Sequence, residues 1–205
     1  QGYNGVSDTY LLNEQTPTAR GAEQKLHVKE FSGGVTTKRT LMRFDLSDII
    51  PENATVTAAW LDLYLSERYP DSAVGINLYH LLKPWSEASA TWTTTGLGPD
   101  WAVAGAGGVG DDREAAPFAT GTLRTLKAYN RIDVLDAVRR WVQDPESNYG
   151  FVIIGTGTVD ARVWSSEDSR EAELPRLIVT YEPPPGTPGP TRTPTATLSP
   201  TAGPT

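Results

Sequence analysis

Apolar and polar side chains alternate at every second position in much of the chain, which is the pattern of strands that bury one face of a sheet. The alternation runs through KLHVKE (25–30), TLMRFDLS (40–47), AWLDLYLS (59–66) and VGINLYHLL (74–82), and later strands are indicated at GFVIIGT (150–156), ARVWSS (161–166) and RLIVTYE (176–182). Turn signals such as SGG (32–34) and YPD (69–71) separate these segments. We therefore expect an all-β fold, an antiparallel β-sandwich of the jelly-roll kind.

Two segments depart from the period of two. DVLDAVRRWVQDP (133–145) has the spacing of a short amphipathic helix, with Asp133 as the expected N-cap and Pro145 as the stop signal. Residues 93–119 are rich in Gly and Ala and predict a long excursion over the surface. One β-sandwich domain is expected over residues 1–182.

The last 23 residues, 183–205, form a tail or linker that contains eight Pro and seven Thr. We expect an extended segment that is a poor ladder strand, because proline has no N–H to donate. Its hydroxyl side chains near Pro are candidates for O-glycosylation: Thr187, Thr191, Thr193, Thr195, Thr197, Ser199, Thr201 and Thr205. A separate N-glycosylation sequon begins at Asn53, in a predicted turn.

The overall composition excludes several classes of function. A net charge of −7 argues against nucleic acid or an anionic membrane as the main partner, and no run of 18 apolar residues exists. The chain has no Cys, which excludes disulfides and thiolate metal sites. We interpret Gln1 as a terminus left by signal-peptide removal, which predicts an extracellular or cell-surface protein; the alternative is an arbitrary boundary.

A basic face is the first candidate binding site. Lys25 and Lys29 share one side of their predicted strand, and Arg39 and Arg43 share one side of the next. If these strands pair, four cations would gather on one surface and could bind the carboxylates of an acidic polysaccharide. The alternative is an ordinary solvated face whose lysines protect a sheet edge.

The remaining candidates are an aromatic platform and a metal site. Trp101 lies in the Gly-rich excursion and could stack on a sugar ring. Asp111, Asp112 and Glu114 supply the hard oxygen ligands that a structural calcium ion prefers; the alternative is ordinary solvated loop charge. No cofactor is required by the sequence, and no pattern of residues indicates catalysis, so we do not expect an enzyme.

Five segments, in order, resemble a known family: DTYL (8–11), LMRFDLSDIIPENATVTAAWLDLYL (41–65), PWSEASATW (84–92), IDVLDAVRRWVQDPESNYGFVI (132–153) and WSSEDSREAELPRLIVTY (164–181). Together they resemble the DNRLRE-domain group, which is related to carbohydrate-binding module family 96. The motif that gives the group its name is not evident in this sequence, and DSRE (168–171) is the segment most similar to it. The resemblance implies a secreted, usually non-catalytic jelly-roll sandwich, in which Trp85 and Trp92 are structural and some members bind acidic polysaccharides.

Two functions follow from these features. The first is a structural or adhesive subunit of a surface layer, sheath or filament, in which a glycosylated tail contacts neighbouring copies. The alternative is a carbohydrate-binding module for acidic polysaccharide, joined by the tail to a polysaccharide-degrading enzyme.

Overall fold

The computed structural model describes residue 3 and residues 5–31, 36–47, 49–184 and 195–200. Its strands are β1 (Val6–Leu12), β2 (Lys25–Glu30), β3 (Lys38–Phe44), β4 (Thr55–Tyr69), β5 (Val74–His80), β6 (Ala119–Leu123), β7 (Ala128–Asp133), β8 (Phe151–Gly155), β9 (Val159–Trp164), β10 (Arg176–Glu182) and β11 (Thr195–Leu198). One α-helix, α1 (Leu135–Gln143), lies between β7 and β8. The expected all-β fold with one short helix is confirmed.

The strands pair antiparallel in one sheet that turns over on itself. The order is β11, β10, β4, β9, β2, β3, β8, β5 and β6, with β1 paired to β3 and β7 paired to β4. Among the described residues, β2 and β3 are joined only by the pair Lys29 and Lys38. Across the interior, β2 lies against β8 and β5 lies against β9. The two halves therefore face one another as the layers of a sandwich.

The main hydrophobic core fills the space between the two halves, and the alternation in the sequence determines which side chains enter it. Its members include Leu26 and Val28 from β2 and Met42 and Phe44 from β3, all nearly inaccessible to solvent. The alternate residues of these strands face outward, as the period of two predicts.

Helix α1 closes one end of this core. It buries Ala137, Val138 and Trp141, in agreement with the predicted apolar face. The helix begins at Leu135, two residues later than Asp133, but the Asp133 carboxylate still accepts the N–H of Leu135 at 3.0 Å. Asp133 thus satisfies one of the free amides of the first turn, although it is not the N-cap.

A second hydrophobic cluster lies on the outer side of the sheet. Residues 81–118 fold over this face and contribute Leu81, Trp85 and Trp101, which bury Leu41 of β3 and Val152 of β8. The excursion lies on the surface as predicted, but it is held there by a core of its own. This second core leaves part of the outer face of β5, β6 and β8 uncovered.

Strand β11 corrects the expectation for the tail. Thr195–Leu198 pairs antiparallel with β10, and Leu198 is only 2% exposed within the main core. The segment TATL contains no proline, so all its amides are available for pairing, whereas the composition of the tail as a whole suggested that none of it would form a ladder. The other predicted O-glycosylation positions, Thr187, Thr191, Thr193, Thr201 and Thr205, lie outside the described residues.

Candidate functional site

The uncovered outer face has a floor built by three strands, which carries Asn77 and two threonines. Asn77 of β5 pairs with Ile154 of β8 on one side and with Thr120 of β6 on the other, and Gly75 pairs with Thr122 one row along. These residues alternate with the buried residues of the same strands, and the two threonines are exposed. A side chain at position 75 would approach the Thr156 hydroxyl to 2.2 Å, so glycine keeps the floor level.

Two arginines and two aromatic rings border this floor. The Arg113 guanidinium lies 4.3 Å from the centre of the Tyr79 ring, and the Arg39 guanidinium lies 5.4 Å from the centre of the Trp92 ring. Arg39 also donates to the carbonyl of Gly105 at 2.8 Å. β3 and β5 hold Arg39 and Tyr79, whereas Trp92 and Arg113 come from the covering segment.

The two arginines lie near enough to repel each other. Partial burial lowers the pKa of Arg113, and the positive charge of Arg39 lowers it further, while Tyr79 and Asp112 act in the opposite direction. Arg39 has a carboxylate partner in Glu30 at 3.4 Å, but Arg113 forms no ion pair within the described part of the chain. We define this surface by Arg39, Asn77, Tyr79, Trp92 and Arg113 and call it the two-arginine surface.

The predicted four-cation patch is wrong, because the structure separates its members. Lys25 binds Glu67 at 2.6 Å, and Lys29 lies 3.5 Å from Asp160, on the outer face of the half that contains β2 and β9. Their positive charge is therefore compensated locally, as the alternative of an ordinary solvated face requires. Only Arg39 joins the two-arginine surface.

Arg43 is four residues further along β3, which places it about 13 Å from Arg39. It lies 3.8 Å from Asp45 and lines a groove of about 360 Å³ beside α1. Glu52 and Glu146 also line this groove, so its charged side chains are mostly acidic. The groove is suited to neutral or cationic groups and poorly suited to an acidic polysaccharide.

Trp101 is not a sugar-binding platform. It is 5% exposed, belongs to the second hydrophobic cluster, and donates its indole N–H to the carbonyl of Thr91 at 3.0 Å. Trp92, which the family resemblance indicated to be structural, is half-buried and packs against the second hydrophobic cluster, and the Arg39 guanidinium lies over its ring. Trp101 was expected to be the exposed ring of the two, but the pattern of an irregular segment does not indicate which side chain is covered.

The acidic loop is organised by Asp112 rather than by a common ligand. The Asp112 carboxylate is fully buried and accepts the N–H groups of Ala102, Val103 and Gly108 at 2.8–3.0 Å, and Lys83 lies 2.7 Å away. Burial alone would raise the pKa of Asp112, but these donors hold it below its ordinary value. Asp112 therefore anchors the covering segment.

The other two members of the predicted calcium loop point elsewhere. Asp111 is exposed, and Glu114 forms an ion pair with Arg140 at 2.5 Å. No three His, Cys, Asp or Glu side chains converge on one point among the residues that the structure describes. The loop geometry gives the three carboxylates separate partners and does not support calcium at this place.

The predicted modification sites that the structure describes are mostly accessible. Asn53 is exposed in its turn with φ of 62°, a left-handed conformation that asparagine tolerates. Thr195 and Thr197 are exposed on β11, and Ser199 is half-buried. Glycosylation at each of them stays a prediction.

Residues 1–97 match the model of carbohydrate-binding module family 96, in agreement with the family resemblance of the sequence. The match includes β1–β5 and four residues of the two-arginine surface, with Arg113 beyond it. No curated protein sequence matches the chain. Within the described residues, no helix is long and apolar enough to cross a membrane.

Proposed function

We propose that this chain is an extracellular carbohydrate-binding module that binds an anionic polysaccharide on the two-arginine surface. The observation that carries the proposal is the pair Arg39 and Arg113, two neighbouring cations that lie over aromatic rings. Among the described residues, the two arginines have one ion-pair partner in total, Glu30, which binds Arg39. Guanidinium groups bind carboxylates through two parallel hydrogen bonds, and uronate residues present a carboxylate on every ring. The family match supports binding of carbohydrate as such.

The floor offers hydrogen-bonding groups to a sugar, and the residues that border it offer aromatic rings. Asn77 and the exposed threonines can exchange hydrogen bonds with sugar hydroxyls. Trp92 and Tyr79 offer ring faces and edges to the apolar side of a pyranose. An extended polysaccharide fits such an open surface better than a small ligand, which requires an enclosed pocket.

The other outer face also carries aromatic residues and arginines. Arg131 on β7 lies 5.9 Å from the centre of the Trp60 ring, and its Nε and Nη2 donate to the Asp62 carboxylate at 2.7 Å, which neutralises its charge. Arg176 lies 4.4 Å from the centre of the Tyr129 ring and donates to the carbonyl of Ala172 at 2.8 Å. The two-arginine surface is favoured for an anionic ligand because Arg39 and Arg113 lie near enough to act on one ligand together.

The test is binding of the whole chain to polygalacturonate and to a neutral glucan, measured by calorimetry. We expect binding to the polyuronate, and we expect it to weaken with added salt. Arg39→Ala and Arg113→Ala should each raise Kd about tenfold or more, since one hydrogen bond to a charged group is worth about 1.5–3 kcal/mol. Lys25→Ala is the matched control, because it removes one positive charge from the opposite half of the sandwich.

Equal affinity of the wild type and both arginine variants for polygalacturonate would remove the two-arginine surface from consideration. Equal binding of the neutral glucan would show that charge does not determine the ligand. Thermal unfolding of each variant verifies that the sandwich is intact. Linkage of the module to a polysaccharide-degrading enzyme through the Pro/Thr-rich tail, residues 183–205, belongs to the same proposal and is tested on the full gene product.

The structural-subunit hypothesis depends on contacts between the tail and a neighbouring copy. One described part of the tail, Thr195–Leu198, is bound to β10 of its own domain instead. Removal of residues 183–205 and electron microscopy of the secreted protein test that hypothesis. Filaments that disappear on truncation would restore it.

A further inference from the structure

Asp8 in β1 carries a buried carboxylate oxygen that no group in the described part of the chain satisfies. Asp8 is 1% exposed, and its Oδ2 accepts the N–H of Ser166 at 2.8 Å. Its Oδ1 is inaccessible to solvent and has no hydrogen-bond partner among the described residues. A buried oxygen of this kind is costly unless a ligand completes its coordination.

Two further carboxylates lie around Asp8. Glu87, from the covering segment, accepts the backbone N–H of Asp8 at 2.6 Å, and Glu167 directly follows Ser166. Within the described part of the chain, none of these three acids forms an ion pair with a Lys, Arg or His. Burial raises the pKa of Asp8 to about 8, and the negative charges of Glu87 and Glu167 add to this effect. The cluster therefore lacks a counter-charge.

Three loops distant in sequence meet at this point. Glu87 is 79 residues from Asp8 and Ser166 is 158 residues from it. Gly21, from the third loop, packs so closely that a side chain there would come within 2.2 Å of the Glu87 carbonyl oxygen. The Ser165 hydroxyl in turn donates to the carbonyl of Glu23 at 2.6 Å. These contacts bring the three loops together beside Asp8.

We propose that Asp8 and Glu87 hold a calcium ion that ties these three loops together at the end of β1. No group of three or more His, Cys, Asp or Glu side chains in the described part of the chain is placed to bind one ion, so this site has only two charged ligands. Calcium accepts six to eight oxygens and completes its shell with backbone carbonyls and water, so two carboxylates suffice as the charged ligands. This site is distinct from Asp111, Asp112 and Glu114 and is independent of the proposed carbohydrate binding.

The competing explanation is a neutral Asp8 that carries a proton in the folded state. The two explanations differ in their response to Asp8→Asn, which keeps the shape and the acceptor oxygen but removes the charge. A calcium ligand would lose its ion in this variant. If Asp8 is instead a neutral acid, Asp8→Asn should leave the free energy of unfolding unchanged or raise it.

The experiment uses the full chain freed of metal with EDTA and titrated with CaCl₂. We expect calorimetry to show one calcium ion per chain, and the unfolding temperature to rise by about 5–10 °C at a hundredfold excess over Kd. Asp8→Asn and Glu87→Gln should both lose the heat of binding and the rise in unfolding temperature. Asp111→Asn, which removes an exposed acid from the other acidic loop, should retain both.

Three results would overturn the proposal. The first is a wild-type protein whose unfolding temperature is the same in EDTA and in calcium, with no heat of binding. The second is an Asp8→Asn variant that still gains stability from calcium. The third is loss of binding in Asp111→Asn with Glu87→Gln unaffected, which would move the ion to the other loop. None of these measurements involves carbohydrate, so failure here leaves the proposed function standing.

Discussion

Replacement of Leu198 by alanine measures how firmly the end of the tail is bound to the sandwich. Burial of a leucine side chain contributes about 1.5–3 kcal/mol, and Leu→Ala changes in cores cost about 2–5 kcal/mol. Leu198 is the only large apolar residue of β11, so most of the apolar burial that docks this strand comes from its side chain. β11 should therefore detach when the Leu198 side chain is removed. The decrease in the free energy of unfolding then cannot exceed the free energy that docks the strand.

We expect Leu198→Ala to lower the free energy of unfolding by about 2–3 kcal/mol. Removal of residues 183–205 should produce the same loss, because the variant has already released β11. Thr197→Ala, on the exposed side of the same strand, should change stability by less than about 0.5 kcal/mol. Urea unfolding followed by tryptophan fluorescence measures all three proteins under one set of conditions.

The reasoning is refuted if Leu198→Ala is as stable as the wild type, since β11 would then not be docked in solution. A truncated protein much less stable than Leu198→Ala would show that the tail contributes contacts beyond this strand. Either result would alter the account of where the folded domain ends.

Three other substitutions test the packing of charged and aromatic groups. Asp62→Ala should cost about 1–3 kcal/mol in urea unfolding, because it removes a buried partner from Arg131. The pKa of Asp112 is held low, so the stability that its carboxylate contributes is complete above its unfolded pKa of about 4 and is lost as the pH falls through the lower folded value. Asp112→Asn should therefore weaken the loss of stability in acid. An unchanged dependence of stability on pH would contradict the role of Lys83 and the backbone donors. Trp101→Phe should lower the unfolding temperature but leave the Kd for polygalacturonate unchanged, and a large rise in Kd in a folded variant would return Trp101 to the binding surface.

The alternation of residues was sufficient to predict the main core. Leu26, Met42 and Phe44 point inward because a strand exposes successive side chains on opposite faces, and this property is local. The same rule assigned Leu41 to the outer face, which is correct, but it gave no indication that the residue would be buried there. Leu41 is buried because residues 81–118 fold over it. The alternation of side chains along β3 gives no information about a segment so distant in sequence.

The candidate sites were harder to predict because they are assembled from distant segments. Arg113 lies in an acidic loop, and nothing in its neighbourhood along the chain connects it with Arg39, 74 positions earlier. Asp8 was noticed only as part of a family motif, and its missing partner is visible only when the loops around it are in place. The strand β11 was missed for another reason: averaging the composition of the tail concealed four residues without proline.

The cover formed by residues 81–118 separates the structural and recognition tasks of this protein. Asn77 and Ile154 belong to strands whose alternate residues build the main core, so the floor is constrained by folding. Trp92 and Arg113 belong to the cover, which is held by its own small core and by the Asp112 anchor. On the proposed function, a library of variants confined to the cover, with Asp112 retained, should change the preferred polysaccharide while the sandwich underneath serves as an invariant scaffold.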